Sequence, residues 1–201
     1  MNAYDSFPKN FLAADPVLEK VVLAISPPHI ETSNDVFHDL MSCVLEQQIH
    51  YRSTKKIFQK MLDAANLERL TPDNFLQLEE KSLKNVKLAI SKFETINNIL
   101  TFWKENNIDW NLLDDREIIT KLSSIKGIGN WTIDMILLYT LQRPNVFPAD
   151  DFHLKEIMVK LYGLNPNVRL KAQMMDIAND WGTHKSLAVR YLLAWKTFIR
   201  S

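Results

Sequence analysis

Apolar side chains along this chain recur at spacings of three and four. Leu154, Ile157, Met158 and Leu161 form one such stripe, the face of a helix turned toward a core, whereas sustained period-two alternation is hard to find. Pro16, Pro27, Pro28, Pro72, Pro144, Pro148 and Pro166 punctuate the chain and leave long proline-free tracts between them. The pattern predicts an all-α fold with helices near 16–26, 34–47, 53–65, 72–78, 91–106, 115–124, 131–142, 152–162, 169–180 and 184–199. Capping chemistry marks several starts. Asp15-Pro16 and Thr71-Pro72 set an acceptor side chain before a proline whose missing N–H costs nothing at the first helical position, and Ser91-Lys92-Phe93-Glu94 has the spacing of a capping box. Neither a fixed-period repeat nor a low-complexity tract is present, so a solenoid and a disordered tail are not expected.

Composition narrows the picture. A chain of 201 residues, 46% hydrophobic, can bury a real core as one domain or two small lobes. Its 24 Lys and Arg cancel its 24 Asp and Glu, so the basic excess of many nucleic-acid binders is missing, although a local cluster of cations could still hold phosphates. Cys43 is the only cysteine, which excludes an intramolecular disulfide and a cysteine-ligated iron–sulfur cluster and suits a reducing cytosol. Met1 to Pro16 shows no basic stretch followed by an apolar one, so the mature chain is expected to begin here. The apolar run from Met135 to Leu141 is far shorter than the about 20 residues a membrane helix needs, and no membrane role is expected. No His/Cys/Asp/Glu cluster has catalytic-metal spacing.

Two of the four glycines, Gly127 and Gly129, lie in Leu122-Ser123-Ser124-Ile125-Lys126-Gly127-Ile128-Gly129-Asn130-Trp131-Thr132. Glycines two apart between helices allow positive φ and a bare backbone, so the second helix can offer N–H groups to an anion such as a DNA phosphate. A tight helix-helix turn with Ile125 and Ile128 packed inward explains the same residues without any ligand.

This segment, followed by Pro148-Ala149-Asp150-Asp151, resembles the signature of the helix-hairpin-helix and Gly/Pro/Asp superfamily of DNA glycosylases. Within it the chain is most similar to the alkylbase branch, the 3-methyladenine DNA glycosylase II type, which also carries Trp-Thr after the second glycine. Glu46-Gln47-Gln48-Ile49 resembles the Gln-Gln segment of that family, and Trp181 to Trp195 resembles its closing helix. The similarity runs from about Asp15 onward, and the extra N-terminal domain of longer bacterial members is not expected here. It implies a single two-lobed helical unit over 1–201, with a central lobe over 34–145 that includes the hairpin 122–132, a second lobe from 1–33 plus 146–201, and the active-site cleft between the lobes.

The resemblance also implies roles. An excision enzyme must extrude the damaged nucleotide from the duplex, grip the backbone, fill the gap in the stack, and stabilise positive charge on the sugar as the glycosidic bond breaks. Asp151, 22 positions beyond Gly129, stands where the family has its catalytic carboxylate, while Asp150 is left as cap or scaffold. From local sequence alone, both acids read as N-caps of the next helix. Members that also cut the backbone carry a Schiff-base lysine two residues after the second glycine. Trp131 stands there instead, which implies simple hydrolysis to an abasic site and offers an aromatic face to a cationic base.

Met135, one turn later, faces the same pocket or packs in the core. Leu193 falls where the family has a pocket tryptophan, and Trp195, two positions on, points about 200° away around a helix. Gln47, Gln48 and Ile49 form the wedge segment, with Gln48 or Ile49 as the inserted side chain. The backbone at Lys126, Gly127, Ile128, Gly129 and Thr132 would bind DNA, with Lys155 and Lys185 as further phosphate contacts. Lys126 replaces the proline of many relatives, and hairpin carbonyls are a possible site for a monovalent cation.

The expected partner is double-stranded DNA with a damaged base, bound by a monomer, in the cytoplasm at the nucleoid or in a nucleus. Cationic alkylpurines such as 3-methyladenine and 7-methylguanine fit first, with ethenoadenine and hypoxanthine open. Two alternatives remain: a non-catalytic helix-hairpin-helix DNA-binding protein, and a helical enzyme acting on a small molecule.

Overall fold

The computed structural model describes residues 7, 11–29, 32–46, 51–86 and 88–199. Among them no residue is in a strand. Ten α-helices order the described residues: α1 (Pro16–Ala24), α2 (Val36–Glu46), α3 (Tyr51–Ala64), α4 (Phe75–Lys81), α5 (Ile90–Glu105), α6 (Asp115–Ser123), α7 (Asn130–Met135), α8 (Phe152–Tyr162), α9 (Leu170–Asp180) and α10 (Lys185–Phe198). The all-α class expected from periodicity is the class observed, and most helices begin and end within a few residues of the predicted limits. No helix among the described residues is long and apolar enough to cross a membrane. The wedge candidates Gln47, Gln48 and Ile49 lie outside the described residues.

The helix starts show which local signals hold. Asp15 caps α1 by accepting from the Leu18 N–H at 2.9 Å, with Pro16 at the first position. Thr71 and Asn74 exchange side-chain bonds, each accepting the other's N–H at 3.3 and 2.8 Å. The α4 ladder nevertheless begins only at Phe75, because residues 72–74 form a turn first. The capping box expected at Ser91 does not form. Helix α5 starts earlier, at Ile90, since the Ala89 carbonyl already accepts from Lys92 and Phe93, and Ser91 sits inside the first turn. A true capping box opens α6, where Asp114 and Glu117 each accept the other's N–H at 2.8 Å.

The chain divides into two compact units, Thr32–Leu141 and Gln142–Ser201 with Met1–Glu31. The first is built on α2, where Leu40, Met41 and Val44 are wholly buried, as are Ile99 of α5 and Ile136 and Leu138 after α7. Helix α7 runs on into a π turn over Ile136–Thr140, with the Leu141 N–H donating to the Ile136 carbonyl at 2.9 Å. Such widened turns are rare and recur at functional sites. Here the turn ends on Thr140, whose hydroxyl donates to Asp39 Oδ2 of α2 at 2.7 Å and whose carbonyl accepts the Thr32 hydroxyl at 3.0 Å.

The second unit packs α1 and α8 against α10, with Leu18, Val22, Leu154, Met158, Val189 and Leu192 wholly buried. Asp15 serves it twice. Its Oδ1 caps α1, and its Oδ2 accepts from the Tyr162 hydroxyl at 2.8 Å and from Trp181 Nε1 at 2.9 Å. Burial, and then the Asp15 charge, push the Tyr162 hydroxyl well above its ordinary value, so it stays a donor.

Candidate active site

The hairpin descends from α6 by short hydrogen bonds. The Ile125 N–H donates to the Leu122 carbonyl at 3.2 Å, and the Ile128 N–H to the Ile125 carbonyl at 3.1 Å. Gly127 satisfies two demands in this path. Its φ is +100°, and a Cβ there would lie 2.1 Å from Thr95 Oγ1, so any side chain is excluded by conformation and by contact. Helix α5 supplies a second tie, from Asn98 Nδ2 to the Lys126 carbonyl at 2.9 Å.

Gly129 behaves differently: of the positive φ and bare backbone that glycine allows, it uses only the second. It is the N-cap of α7 with φ −99° and ψ 167°, and a Cβ there would meet nothing within 4 Å. Any residue could adopt that backbone. Its lack of a side chain leaves the start of α7 bare, and nothing in the described fold calls for it. The exposed Lys126, half-buried Ile128 and Trp131, and buried Thr132 line up along this turn and first helical turn. Met135 is 5% exposed and belongs to the core of this unit.

In the other unit, Pro148 and Asp151 close a turn through the Asp151 N–H and the Pro148 carbonyl at 2.9 Å. Asp151 is 5% exposed and is the N-cap of α8, its Oδ1 accepting from the Leu154 N–H at 2.7 Å. The cap reading is therefore correct for Asp151, and the same bond fixes the carboxylate's direction. It does not hold for Asp150. That side chain is exposed and pairs with Lys171 at 2.8 Å and Lys155 at 3.6 Å. The Lys171 ammonium, by hydrogen bond and charge, holds the Asp150 carboxyl below its usual range.

Ser186, at the start of α10, pins the approach to Asp151. Its hydroxyl accepts from the Val146 N–H at 2.9 Å and donates to the Arg143 carbonyl at 2.5 Å, and its own N–H donates to the Pro144 carbonyl at 3.1 Å. Lys185, expected to contact phosphate, reaches Asn145 Oδ1 at 3.0 Å. Leu193 and Trp195 of α10 are half-buried, and Trp195 stacks on Phe198 at 5.4 Å.

Thr95, Asn98 and Ser186 went unnoticed in the sequence. Ser186 lies within the closing helix that carried the resemblance, but its polar side chain gave no sign of its partners 40 and 43 positions away. Among the described residues no group of three or more His, Cys, Asp or Glu side chains is placed to hold a metal ion.

Comparison with known proteins places this geometry. The chain is 25% identical over 185 residues to DNA-3-methyladenine glycosylase 1 of Schizosaccharomyces pombe, covering 90% of this chain and 80% of that protein. It superposes with a TM-score of 0.77 on the S. pombe 3-methyladenine DNA glycosylase in complex with abasic DNA, at 23% identity over 98% of this chain and 96% of that one. The 8-oxoguanine glycosylase/lyase of Clostridium acetobutylicum bound to double-stranded DNA shares the fold at a TM-score of 0.72 and 22% identity, over 96% of this chain and 70% of that one. Residues 41–183, which hold the hairpin, the π turn and Asp151, match the HhH-GPD superfamily of base excision DNA repair proteins, and the chain belongs to that superfamily.

Proposed function

We propose that this protein is a monofunctional DNA glycosylase that extrudes alkylated purines from duplex DNA and hydrolyses the N-glycosidic bond, leaving an abasic site. One observation carries the reading: in a chain of this superfamily, the acid at the catalytic position, Asp151, is buried at a helix start with its carboxylate aimed by the Leu154 N–H. A fixed carboxylate can stabilise the oxocarbenium-like sugar and orient the attacking water. Both are worth most when the group does not have to reorganise.

Trp131 supports hydrolysis without strand cleavage, because an indole cannot form the imine that a lysine at that position would form. The names of the curated relatives support alkylated adenines as substrates. A cationic alkylpurine also needs less barrier lowering, since its glycosidic bond is already weakened. The half-buried Trp131 is the proposed base-binding face, while Met135, buried in the core of the same unit, and Leu193 are assigned to the pocket by the resemblance alone.

The grip falls to the backbone at Gly127 and Gly129 and to Thr132, with Lys126 beside them. The neutral chain is locally uneven: residues 142–201 hold nine Lys and Arg against five Asp and Glu. Gln47, Gln48 and Ile49 remain the proposed wedge. The hairpin carbonyl of Ile125 accepts from the Ile128 N–H and keeps a second lone pair, so it suits a monovalent cation, which would add positive charge facing a phosphate. The working unit is proposed to be a monomer, in bacterial cytoplasm or a nucleus.

The test incubates wild type and Asp151→Asn with alkylated duplex DNA and measures free base, alkali-labile sites and borohydride-trapped adducts. Base release by wild type without trapped adduct, lost in the variant while DNA binding persists, is the expected result. The cap bond of Asp151 favours one other reading, a non-catalytic DNA-binding protein. That reading takes over if both proteins bind DNA and neither releases a base across a panel of alkylated and deaminated lesions.

A further inference from the structure

The unit that carries Asp151 also buries an ammonium to which the function above assigns no task. Lys196 of α10 is 5% exposed. Its Nζ donates to Glu156 Oε2 at 2.5 Å, contacts His153 Nδ1, and lies 5.5 Å from the centroid of the Phe152 ring. Lysine only donates, so Nδ1 of His153 carries the lone pair and its proton is on Nε2. All three partners belong to the first five residues of α8, directly after Asp151.

Stability alone does not account for this arrangement. Burying an ammonium costs solvation that an ion pair repays only in part, and an apolar side chain would fill the contact between α8 and α10 without that cost. The charge also lies at the N-terminal end of α8, the end that disfavours cations. What the ammonium supplies instead is direction. It ties the first, second and fifth residues of α8 to α10, and so fixes the turn from which the Asp151 side chain projects.

We propose that Lys196 is a positioning residue for Asp151, clasping the first turn of α8 through His153, Glu156 and Phe152 so that the carboxylate keeps its reactive orientation. The inference rests on the catalytic reading of Asp151. Its test measures, for wild type, Lys196→Met, Lys196→Arg and Glu156→Gln, the single-turnover rate of base release at saturating protein, the affinity for abasic-site DNA, and Tm. All rates are taken well below the lowest Tm. Misplacement of a reacting group by an ångström can cost about a hundredfold, so a loosened turn should lower the Lys196→Met rate about tenfold, with affinity within about twofold of wild type. Lys196→Arg should recover most of the rate, because it restores a donor cation.

A merely structural lysine would lower Tm and leave the rate of the folded protein unchanged, and that result overturns the proposal. If Lys196→Met does not fold, Glu156→Gln decides. It alters a half-exposed partner, should reduce the rate about threefold as the clasp slackens, and overturns the proposal if the rate is unchanged. Asp151→Asn run alongside separates the two levels. Full activity in that variant overturns both readings, whereas an inactive Asp151→Asn beside a fully active Lys196→Met overturns this one alone.

Discussion

The hairpin and the Asp151 segment are both short irregular stretches that end at a helix N-terminus, yet they are held in opposite ways. At the hairpin, shape resides in one residue: Gly127 combines φ +100° with a contact that admits no side chain. Before Asp151 the one positive φ, +50° at Gln142, falls on a residue other than glycine, and Ser186 stitches Arg143, Pro144 and Val146 from far along the sequence. A local conformational demand leaves its mark on the sequence as a glycine. A nonlocal hydrogen-bond set leaves only an ordinary serine.

The largest effect that can break this comparison is chemical. Asp151→Asn should reduce base release by about 10²–10³-fold, in the range seen when a preorganised charge-stabilising group is removed, while Gly129→Ala should leave the chemical step of bound DNA nearly intact. Next comes Gly127→Ala, expected to destabilise the fold by roughly 2–4 kcal/mol through positive φ and the Thr95 clash. Gly129→Ala should change stability by less than about 0.5 kcal/mol and weaken DNA binding, because its added methyl faces open space where a phosphate would approach. Equal loss of stability in the two alanine variants, read by urea unfolding, would erase the distinction drawn between the glycines.

Ser186→Ala should cost about 1–3 kcal/mol, since the Val146 N–H and Arg143 carbonyl lose their partner, and should slow base release more than it weakens DNA binding. The smallest effect belongs to Asp150→Asn, within about 1 kcal/mol because its ion pairs are exposed and screened. Its folded carboxyl sits below the usual 3.8. Any stability it contributes is therefore present above that value and lost as acidification passes through the lowered one. A chemical denaturation series against pH and salt measures it.

Much of the fold was legible because helices advertise themselves locally. Proline-free tracts with apolar residues three and four apart gave the ten helices, and Asp15-Pro16 marked a start that the Leu18 bond realises. Ser91 misled because spacing cannot tell whether the helical ladder has already begun, as it has at Ala89. The π turn was invisible for a related reason. Its last residue, Thr140, bonds Asp39, 101 positions away.

The sequence by itself determined the class of the fold and the presence of a glycine turn between two helices, because each depends on backbone preferences within a short window, whereas the acid 22 positions on stood out only through the family resemblance. Only the tertiary structure decided that Asp151 rather than Asp150 is the buried cap, that Gly129 is free of internal constraint, and that Lys196 clasps α8. Burial and side-chain direction are set by what distant segments bring alongside, and a linear pattern carries no record of that.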